Sequence, residues 1–424
     1  MKSPFAVEKI RGKMVLDSRG FPTVEVEAVS GSLSASAMAP AGASKGRFEA
    51  HDLRDGEKAF MGNGVTKALR NINGQIAREL TGMNACAQND VDKALSELDS
   101  TPQKTEIGGN AMIASSMAVA KLGAKLQDKP LHEYLSQYAP ATKEKLVHLP
   151  MPLFTMLNGG KHAGTQLPVQ EIVVEPARAK SVVSAVQIGS ELYHTLKQRI
   201  HQKFGAHYTN VGENGGLTAP VADVNAALDL VMESAKELGY EKQIKMGIIV
   251  AGSHVRKKDL YHVADKPLSA RQLVNFYANL VAQYPISLLV DPFAEDDIQG
   301  FQGLMSRIGN THPIVGDDLL VSNPVRIKRV MDLKACNGLD VKLNQIGTVY
   351  DAAQAIALAK GAKWTTVVSD RAGETEDTFI TDFAVAMRAD YLKAGAVART
   401  ERVAKWNRLL RIEEELGKKA TFGK

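Results

Sequence analysis

The sequence predicts an α/β protein in which a parallel barrel follows a smaller α+β domain. The chain has 424 residues, of which 44% are hydrophobic, so it is long enough for a barrel of about 250 residues and a second core. Its first part alternates polar and apolar residues as antiparallel strands do, and then becomes helical. Its second part repeats an apolar strand followed by a helical pattern.

The first domain opens with three strand patterns separated by glycine-containing turns: "KMVLDSRG", "PTVEVEAV" and "SLSASAMAP". Helical periodicity follows in "GVTKALRNINGQIAREL", "NDVDKALSELD" and "GGNAMIASSMAVAKLGAKL". The next segment, residues 138–152, is rich in proline and charge. We therefore expect an N-terminal domain of residues 1–138 and a barrel domain of residues 139–424.

The second domain contains apolar segments that end in polar residues: "KMGIIVAGSH", "PISLLVDPF", "PIVGDDLL", "LDVKLNQIG" and "WTTVVSDRAG". Val290, Asp317, Lys342 and Asp370 follow one another at intervals of 27, 25 and 28 residues, which is the size of one strand–helix unit. Barrel enzymes carry their chemistry at the carboxyl ends of the strands. The three polar residues are therefore expected to converge on one mouth of a parallel barrel.

Composition excludes several classes of protein. The formal charge of +5 comes from 52 basic and 47 acidic residues, and the basic segments lack interleaved aromatic residues, so we expect no nucleic-acid partner. No apolar run approaches the roughly 18 residues of a membrane span, and the start lacks the apolar core of a signal peptide, so a cytoplasmic protein without a membrane partner is expected. Cys86 and Cys336 have no metal-site spacing and are expected to be reduced thiols.

Ten collinear blocks resemble the enolase family over nearly the whole chain: "DSRGFPTVEVE", "GASKG", "LNGGKHAG", "VQEIVV", "NVGENGG", "DPFAEDD", "GDDLLVSNP", "VKLNQIGT", "DRAGETEDTFI" and "ARTERVAKWNRLLRIEEELG". The resemblance implies an N-terminal α+β cap domain and an enolase-type modified (β/α)8 barrel. It also implies dehydration of 2-phosphoglycerate to phosphoenolpyruvate, in which two Mg²⁺ ions stabilise the intermediate, a lysine is the base and a carboxylic acid assists departure of hydroxide.

Part of the implied site is retained. Lys342 matches the family's base, and Lys393 matches the second lysine, which contacts the substrate carboxylate. Other residues at functional family positions are His162 and Glu171, with Ser44, Ser369 and Arg371 at substrate-binding positions.

The rest of the implied site is substituted. Of the three carboxylates that hold the high-affinity Mg²⁺ in the family, Asp317 is retained, whereas the other two positions are Ile249 and Val290. Asn214 stands at the position of the catalytic acid, and Asp370 replaces a histidine. Because Mg²⁺ requires oxygen ligands, which isoleucine and valine lack, we expect no metal cofactor.

These substitutions predict a pseudoenzyme: an enolase-like protein with a degenerate site that has a binding, regulatory or scaffold role. One alternative is a repurposed lyase in which Lys342 or Lys393 acts on a different acid. Weak residual phosphopyruvate hydratase activity and an RNA-associated role are others. Ile249 and Val290 would be barrel-core residues or, alternatively, the wall of a hydrophobic pocket.

The retained polar residues also have structural interpretations. His162 could be a hydrogen-bonded structural histidine, Glu171 could be held by a neighbouring lysine, and Arg371 could form an ion pair within the "GETED" run. Buried ammonium groups require nearby carboxylates, so we expect a salt bridge from Asp317 or Asp370 to Lys342 or Lys393.

The expected partners are a second copy of the chain and either a phosphate-containing small molecule or another protein. Arg371, Ser369 and Lys45 could hold a phosphate-containing small molecule or a sulfate. Enolases pair through the N-terminal strands of one subunit and the barrel of the other, and the matching positions here are Glu25 and Arg411. The resemblance therefore implies a two-fold symmetric homodimer in which Glu25 faces Arg411 of the second copy.

Overall fold

A three-stranded antiparallel sheet begins the fold. The computed structural model of the chain describes residues 4–43, 46–142 and 144–423. The sheet has the order β1-β2-β3, and its register places Lys13 opposite Glu25. Alternation in the central strand sends Val24 and Val26 into the core, as the sequence pattern predicts. The strands are β1 (Lys9–Leu16), β2 (Pro22–Ser30) and β3 (Leu33–Met38).

Helices cover one face of this sheet. The longest of them is rich in alanine, glycine and serine, and it lies against β2 and β3 with most of its residues buried, because small side chains allow close approach. The helices are α1 (Thr66–Asn71), α2 (Ala77–Leu80), α3 (Gln88–Leu98), α4 (Gly109–Leu126) and α5 (Leu131–Leu135). A π-helical turn, Ile72–Ile76, joins α1 to α2 where the sequence predicts one continuous helix.

The remaining chain builds the barrel and its surrounding helices. Its strands are β4 (Val147–Leu149), β5 (Met151–Asn158), β6 (Glu171–Glu175), β7 (Lys245–Ile249), β8 (Arg256–Lys257), β9 (Leu260–Tyr261), β10 (Ile286–Val290), β11 (Ile314–Gly316), β12 (Gly338–Val341), β13 (Thr365–Ser369), β14 (Tyr391–Lys393) and β15 (Ala420–Phe422). Its helices are α6 (Val182–Phe204), α7 (Val224–Glu237), α8 (Gly252–Val255), α9 (Ala270–Gln283), α10 (Ile298–Ile308), α11 (Pro324–Leu333), α12 (Leu343–Ile346), α13 (Val349–Gly361), α14 (Phe379–Ala386) and α15 (Thr400–Leu416).

Eight strands within the described residues close into a barrel in the order β5-β6-β7-β10-β11-β12-β13-β14. The prediction of an entirely parallel barrel is wrong at one strand, because β6 runs antiparallel to both β5 and β7. The connection from β5 to β6, residues 159–170, contains only a short 3-10 turn. A parallel neighbour requires a longer crossover, usually a helix, so this short connection reverses the strand.

Inward-facing side chains fill the barrel as a dry core. Nine residues from successive strands pack together there: Met151, Leu153, Val173, Ile249, Leu288, Val290, Val315, Val367 and Tyr391. Branched aliphatic residues predominate, as expected for the interior layers of a barrel. Ile249 and Val290 belong to this cluster and are 4% and 2% exposed, which confirms their interpretation as core residues.

The two cysteines do not pair with each other. Cys86 and Cys336 are both free thiols. Burial raises the pKa of the Cys336 thiol above its usual value, so it stays protonated. None of the described helices is both long enough and apolar enough to cross a membrane.

Candidate functional site

The strand ends bring most of the predicted site residues to one mouth of the barrel. Glu171 begins the reversed strand β6, Ser369 ends β13 and Lys393 ends β14. Lys342 directly follows β12, and Asp317 directly follows β11. Because side chains on a strand alternate between its two faces, each of these residues continues the inward row that fills the barrel.

Lys342 is held by carboxylates. Its Nζ forms a salt bridge with Asp317 Oδ2 and lies 3.7 Å from Asp340 Oδ2. Gln345 Nε2 donates to the other oxygen of Asp317 at 3.0 Å. Burial disfavours the charged form of Lys342, but the two carboxylates outweigh burial and hold its pKa above the usual value. Lys342 is therefore an ammonium ion at neutral pH.

Lys393 lies in a second ionic group. Its Nζ is 3.0 Å from Asp370 Oδ1 and 3.2 Å from Glu171 Oε1. Asp370 also pairs with the guanidinium of Arg402. Burial opposes the charge of Lys393, yet Asp370 and Glu171 raise its pKa above the usual value. The prediction that the two lysines pair with Asp317 and Asp370 is confirmed, as is the interpretation of Glu171 as a lysine-bound carboxylate.

Glu171 also accepts hydrogen bonds from two neutral side chains. Thr155 Oγ1 donates to Glu171 Oε2 at 2.6 Å, and Asn214 Nδ2 donates to Glu171 Oε1 at 3.3 Å. Asn214 thus acts as a donor to a carboxylate at the family position of the catalytic acid. An amide can donate this bond but has no acidic proton to transfer.

His162 is a buried, neutral histidine. Its Nδ1 lies 3.8 Å from Glu171 Oε1, beyond hydrogen-bond distance, and has no hydrogen-bond partner among the described residues. The interpretation of His162 as a hydrogen-bonded histidine is therefore wrong for this nitrogen. Burial lowers the pKa of His162 to about 4, and Glu171 only partly opposes this shift.

Arg371 joins the barrel to the cap domain. Its Nη1 lies 3.0 Å from Glu49 Oε2, and Gln345 Nε2 donates to Glu49 Oε1 at 3.3 Å. The expected ion pair within the "GETED" run is wrong, because the guanidinium pairs with a carboxylate of the other domain. Glu374 instead pairs with Lys405 and accepts the backbone N–H of Arg371. Ser369 is buried nearby. Ser44 and Lys45 lie outside the described residues.

The donor set does not fit the Mg²⁺ site that the family resemblance implies. Ile249 and Val290 offer no oxygen, and Asp317 is already paired with Lys342 and Gln345. One trio among the described residues, Asp291, Asp317 and Asp318, has ligand atoms within 4.8 Å of one another and could hold a metal ion. Both oxygens of Asp291, however, accept backbone N–H groups of its two neighbours in the trio, at 2.8 and 2.6 Å.

Little space is left between these side chains. The cavity at the mouth has a volume of about 20 Å³, which suits one water molecule, since a single water needs roughly 10–15 Å³. Ile249, Asn214 and Asp370 are among the residues that line it. Among the described residues, the enclosed space at the mouth is therefore smaller than a phosphorylated three-carbon acid.

Several residues of the site were missed by sequence reasoning. They supply charge or hydrogen bonds to the predicted residues and are Glu49, Asp291, Asp318, Asp340, Gln345 and Arg402. Asp340 could have been found, because it lies on β12 two residues before Lys342, whose extended backbone directly continues the strand, and so shares its face. Glu49 could not, because its partner is 322 residues away in the chain.

Known proteins match both domains of the chain. The family profile described as "Enolase, N-terminal domain" matches residues 7–135, and "Enolase, C-terminal TIM barrel domain" matches residues 146–424. A protein of Methanocaldococcus jannaschii named "Enolase" is 43% identical to this chain over 418 residues. This match covers 98% of the chain and 97% of the relative.

Proposed function

Because the chain belongs to the enolase family, we propose that it is a member that has lost the Mg²⁺-dependent dehydration of 2-phosphoglycerate and acts by binding, in a regulatory or scaffold role. The observation that carries this proposal is that the chain's own carboxylates neutralise the two lysines at the family's catalytic positions. Lys342 pairs with Asp317, and Lys393 pairs with Asp370 and Glu171.

The first argument concerns the base. A lysine can remove a proton from carbon only in its neutral form, because an ammonium group has no lone pair. Asp317 and Asp340 keep the pKa of Lys342 above its usual value, so the neutral form is scarce near pH 7. Lys342 therefore fits a structural ion pair better than a general base.

The second argument concerns the acid and the metal. Asn214 cannot deliver the proton that departing hydroxide needs. Ile249 and Val290 remove two oxygen donors from the family's metal site. Loss of Lewis-acid stabilisation costs several kcal/mol in the transition state, and each 1.36 kcal/mol is about tenfold in rate. Because both defects act on the same step, we expect no measurable dehydration.

A repurposed lyase is the second candidate, favoured by the presence of both lysines at the mouth. An acid substrate would have to displace Asp317 from Lys342, or Asp370 from Lys393, and take over the salt bridge. Turnover of any acid in a screen of a metabolite pool would support this candidate over the binding role.

The decisive experiment is a turnover assay with 2-phosphoglycerate, with and without Mg²⁺, in which the M. jannaschii relative is the positive control. We expect no formation of phosphoenolpyruvate by this chain. A rate close to that of the relative would refute the proposal, and slow turnover that depends on Mg²⁺ would identify a residual hydratase instead.

A reversion variant provides the matched test. Ile249→Asp, Val290→Glu, Asn214→Glu and Asp370→His together should restore Mg²⁺ binding, measured by calorimetry, and some turnover. Each single change should restore neither, because groups that act as a unit are strongly non-additive. Circular dichroism would check folding, since Asp370→His removes a partner of Lys393 and Arg402. Rescue by one substitution would show that the defect lies elsewhere.

A further inference from the structure

A cavity of about 580 Å³ opens at the end of the barrel opposite the mouth. We call it the lower cavity, and its lining includes Met151, Glu175, Lys245 and Tyr391. Met151, Lys245 and Tyr391 are the first residues of their strands, whereas Glu175 is the last residue of the reversed strand β6. Pockets for small ligands usually have volumes of roughly 300–1,000 Å³. The lower cavity is therefore large enough for a metabolite.

The lower cavity is separate from the mouth. Between the two ends lie apolar core side chains such as Leu153, Val173 and Val367, each at most 1% exposed. Within the described residues, this apolar layer lies between the two ends of the barrel. A ligand in the lower cavity would bind independently of the salt bridges around Lys342 and Lys393.

The inner part of the lower cavity presents hydrogen-bond acceptors. Glu175 is buried, and Tyr391 Oη donates to Glu175 Oε2 at 3.3 Å. Burial, and to a lesser extent Glu175, raises the pKa of Tyr391, so the phenol keeps its proton. Glu241 Oε2 is buried without a hydrogen-bond partner among the described residues. An unsatisfied buried carboxylate oxygen is costly, and a donor from a ligand would remove that cost.

The rim of the lower cavity carries cations. Arg178, Lys242 and Lys245 are exposed, line the cavity and have no salt-bridge partner among the described residues. The backbone N–H of Arg178 donates to the carbonyl of Gln243 at 3.1 Å, which holds the two rim segments together. A phosphate or carboxylate at this rim would form charge-assisted hydrogen bonds, the strongest class available to these side chains.

The other acidic residue of the lining is already satisfied. Asp390 Oδ2 accepts the backbone N–H and the hydroxyl of Thr366, both at 2.8 Å, and lies 3.7 Å from Lys360 Nζ. Asp390 therefore does not neutralise the cations of the rim. Apolar wall comes from residues such as Met151, Ile244 and Pro285, against which the carbon skeleton of a ligand could pack.

We propose that the lower cavity binds a small organic phosphate or carboxylate that also carries hydroxyl or amino groups. Its anionic group lies against Arg178, Lys242 and Lys245, and its donors reach Glu175 and Glu241. The site goes beyond the proposed function, because it uses none of the residues at the mouth.

The test is calorimetric titration of the full chain with adenosine 5′-monophosphate as the phosphate probe and D-glycerate as the carboxylate probe. Saturable binding of at least one probe, with a dissociation constant in the millimolar range or tighter, is expected. The double variant Arg178→Glu and Lys245→Glu should weaken it more than about tenfold, or about 1.4 kcal/mol. The double variant Lys257→Glu and Lys258→Glu, at exposed lysines of the β8–β9 hairpin, reverses the same number of charges as a control and should change nothing.

A second variant tests the inner end of the lower cavity. Glu175→Gln retains an oxygen for Tyr391 but loses the negative charge. It should therefore weaken binding of the organic probes and leave the binding of inorganic phosphate unchanged. Thermal unfolding of each variant verifies folding, and Lys245→Met replaces the double variant if that one unfolds. Absence of saturable binding by both organic probes, or binding that survives loss of the rim cations, would overturn the proposal.

Discussion

Asp370 carries two salt bridges at once, with Lys393 on one oxygen and Arg402 on the other. The same guanidinium also donates to the carbonyl groups of Arg371 and Ala372, at 2.6 and 2.7 Å. A histidine at position 370, as the family pattern has, would leave Lys393 with Glu171 alone. The aspartate is thus a local counterion for a buried cation pair.

Removal of this charge gives the first prediction. Asp370→Asn should lower the free energy of unfolding by about 3–5 kcal/mol, because it leaves two buried cations short of one carboxylate. Asp259→Asn, at a side chain that is 96% exposed, should stay within about 0.5 kcal/mol. Urea unfolding monitored by circular dichroism measures the unfolding free energy of both variants. Equal stability of the two variants would contradict the role given to Asp370.

His162 gives a pH-dependent prediction. Burial lowers its pKa to about 4 in the folded chain, against roughly 6.5 in the unfolded chain. The unfolded state therefore binds more protons between these values, and stability falls as pH drops from about 6.5 to about 4. His162→Gln should remove about 2 kcal/mol of the stability difference between pH 7 and pH 5, since each pH unit in this interval contributes about 1.36 kcal/mol. Unfolding free energies of both proteins at pH 7 and pH 5 provide the measurement, and parallel pH profiles would count against a buried neutral histidine.

At the scale of elements, Asp291 links two strand ends. It directly follows β10 and has a positive φ of 42°, which turns its carboxylate toward the backbone N–H groups of Asp317 and Asp318, after β11. These groups lie at the end of a short strand and would otherwise be buried donors without acceptors. The position of Asp317 beside Lys342 therefore depends on a side chain from the neighbouring strand.

Asp291→Ala tests this dependence, because it removes the acceptor of the backbone N–H groups of Asp317 and Asp318. Each unsatisfied backbone donor costs about 1–3 kcal/mol, so a clear loss of stability is expected. The exposed Asp332→Ala is the control and should have little effect. Hydrogen exchange of the amides of Asp317 and Asp318 is the second readout and should accelerate in the Asp291 variant only. Unchanged protection of these amides would show that they have other acceptors.

At the scale of the whole molecule, the N-terminal sheet offers a surface for pairing. β1 is an edge strand, and it exposes Met14 and Leu16. Exposed apolar residues on an edge strand commonly mark an interface. Glu25 pairs within its own chain with Lys13 at 3.0 Å, and Arg411 is exposed. We propose that the chain forms a two-fold symmetric dimer in which Arg411 of a second copy competes for Glu25.

Light scattering at micromolar concentration tests this dimer. Arg411→Glu should dissociate the dimer, because it places a second carboxylate against Glu25 at each of the two symmetry-related contacts. Addition of Glu25→Arg should restore pairing, which a merely destabilising substitution would not do. A wild-type chain that is monomeric at this concentration would refute the dimer.

Three strands of the cap domain, five of the eight barrel strands and the polar residues at their ends could be read from the sequence, because these features follow from local periodicity. Alternation along "LDVKL" or "TTVVSD" determines which side chains face inward, and the spacing of strand–helix units places their polar ends on one rim. The family blocks then identified Lys342, Lys393 and Glu171 as neighbours. This much depends on contacts within a segment or between adjacent units.

Only the tertiary structure decided which carboxylate neutralises which cation. Arg371 pairs with Glu49 of the cap domain, although acidic residues of the "GETED" run are closer in sequence, and β6 reverses because its connection is short. Such choices depend on distances of a few ångströms between elements remote in the chain, and Coulomb energies in a buried site change steeply over those distances. Periodicity predicts the direction of a side chain, whereas its partner is determined by the packing of the whole molecule.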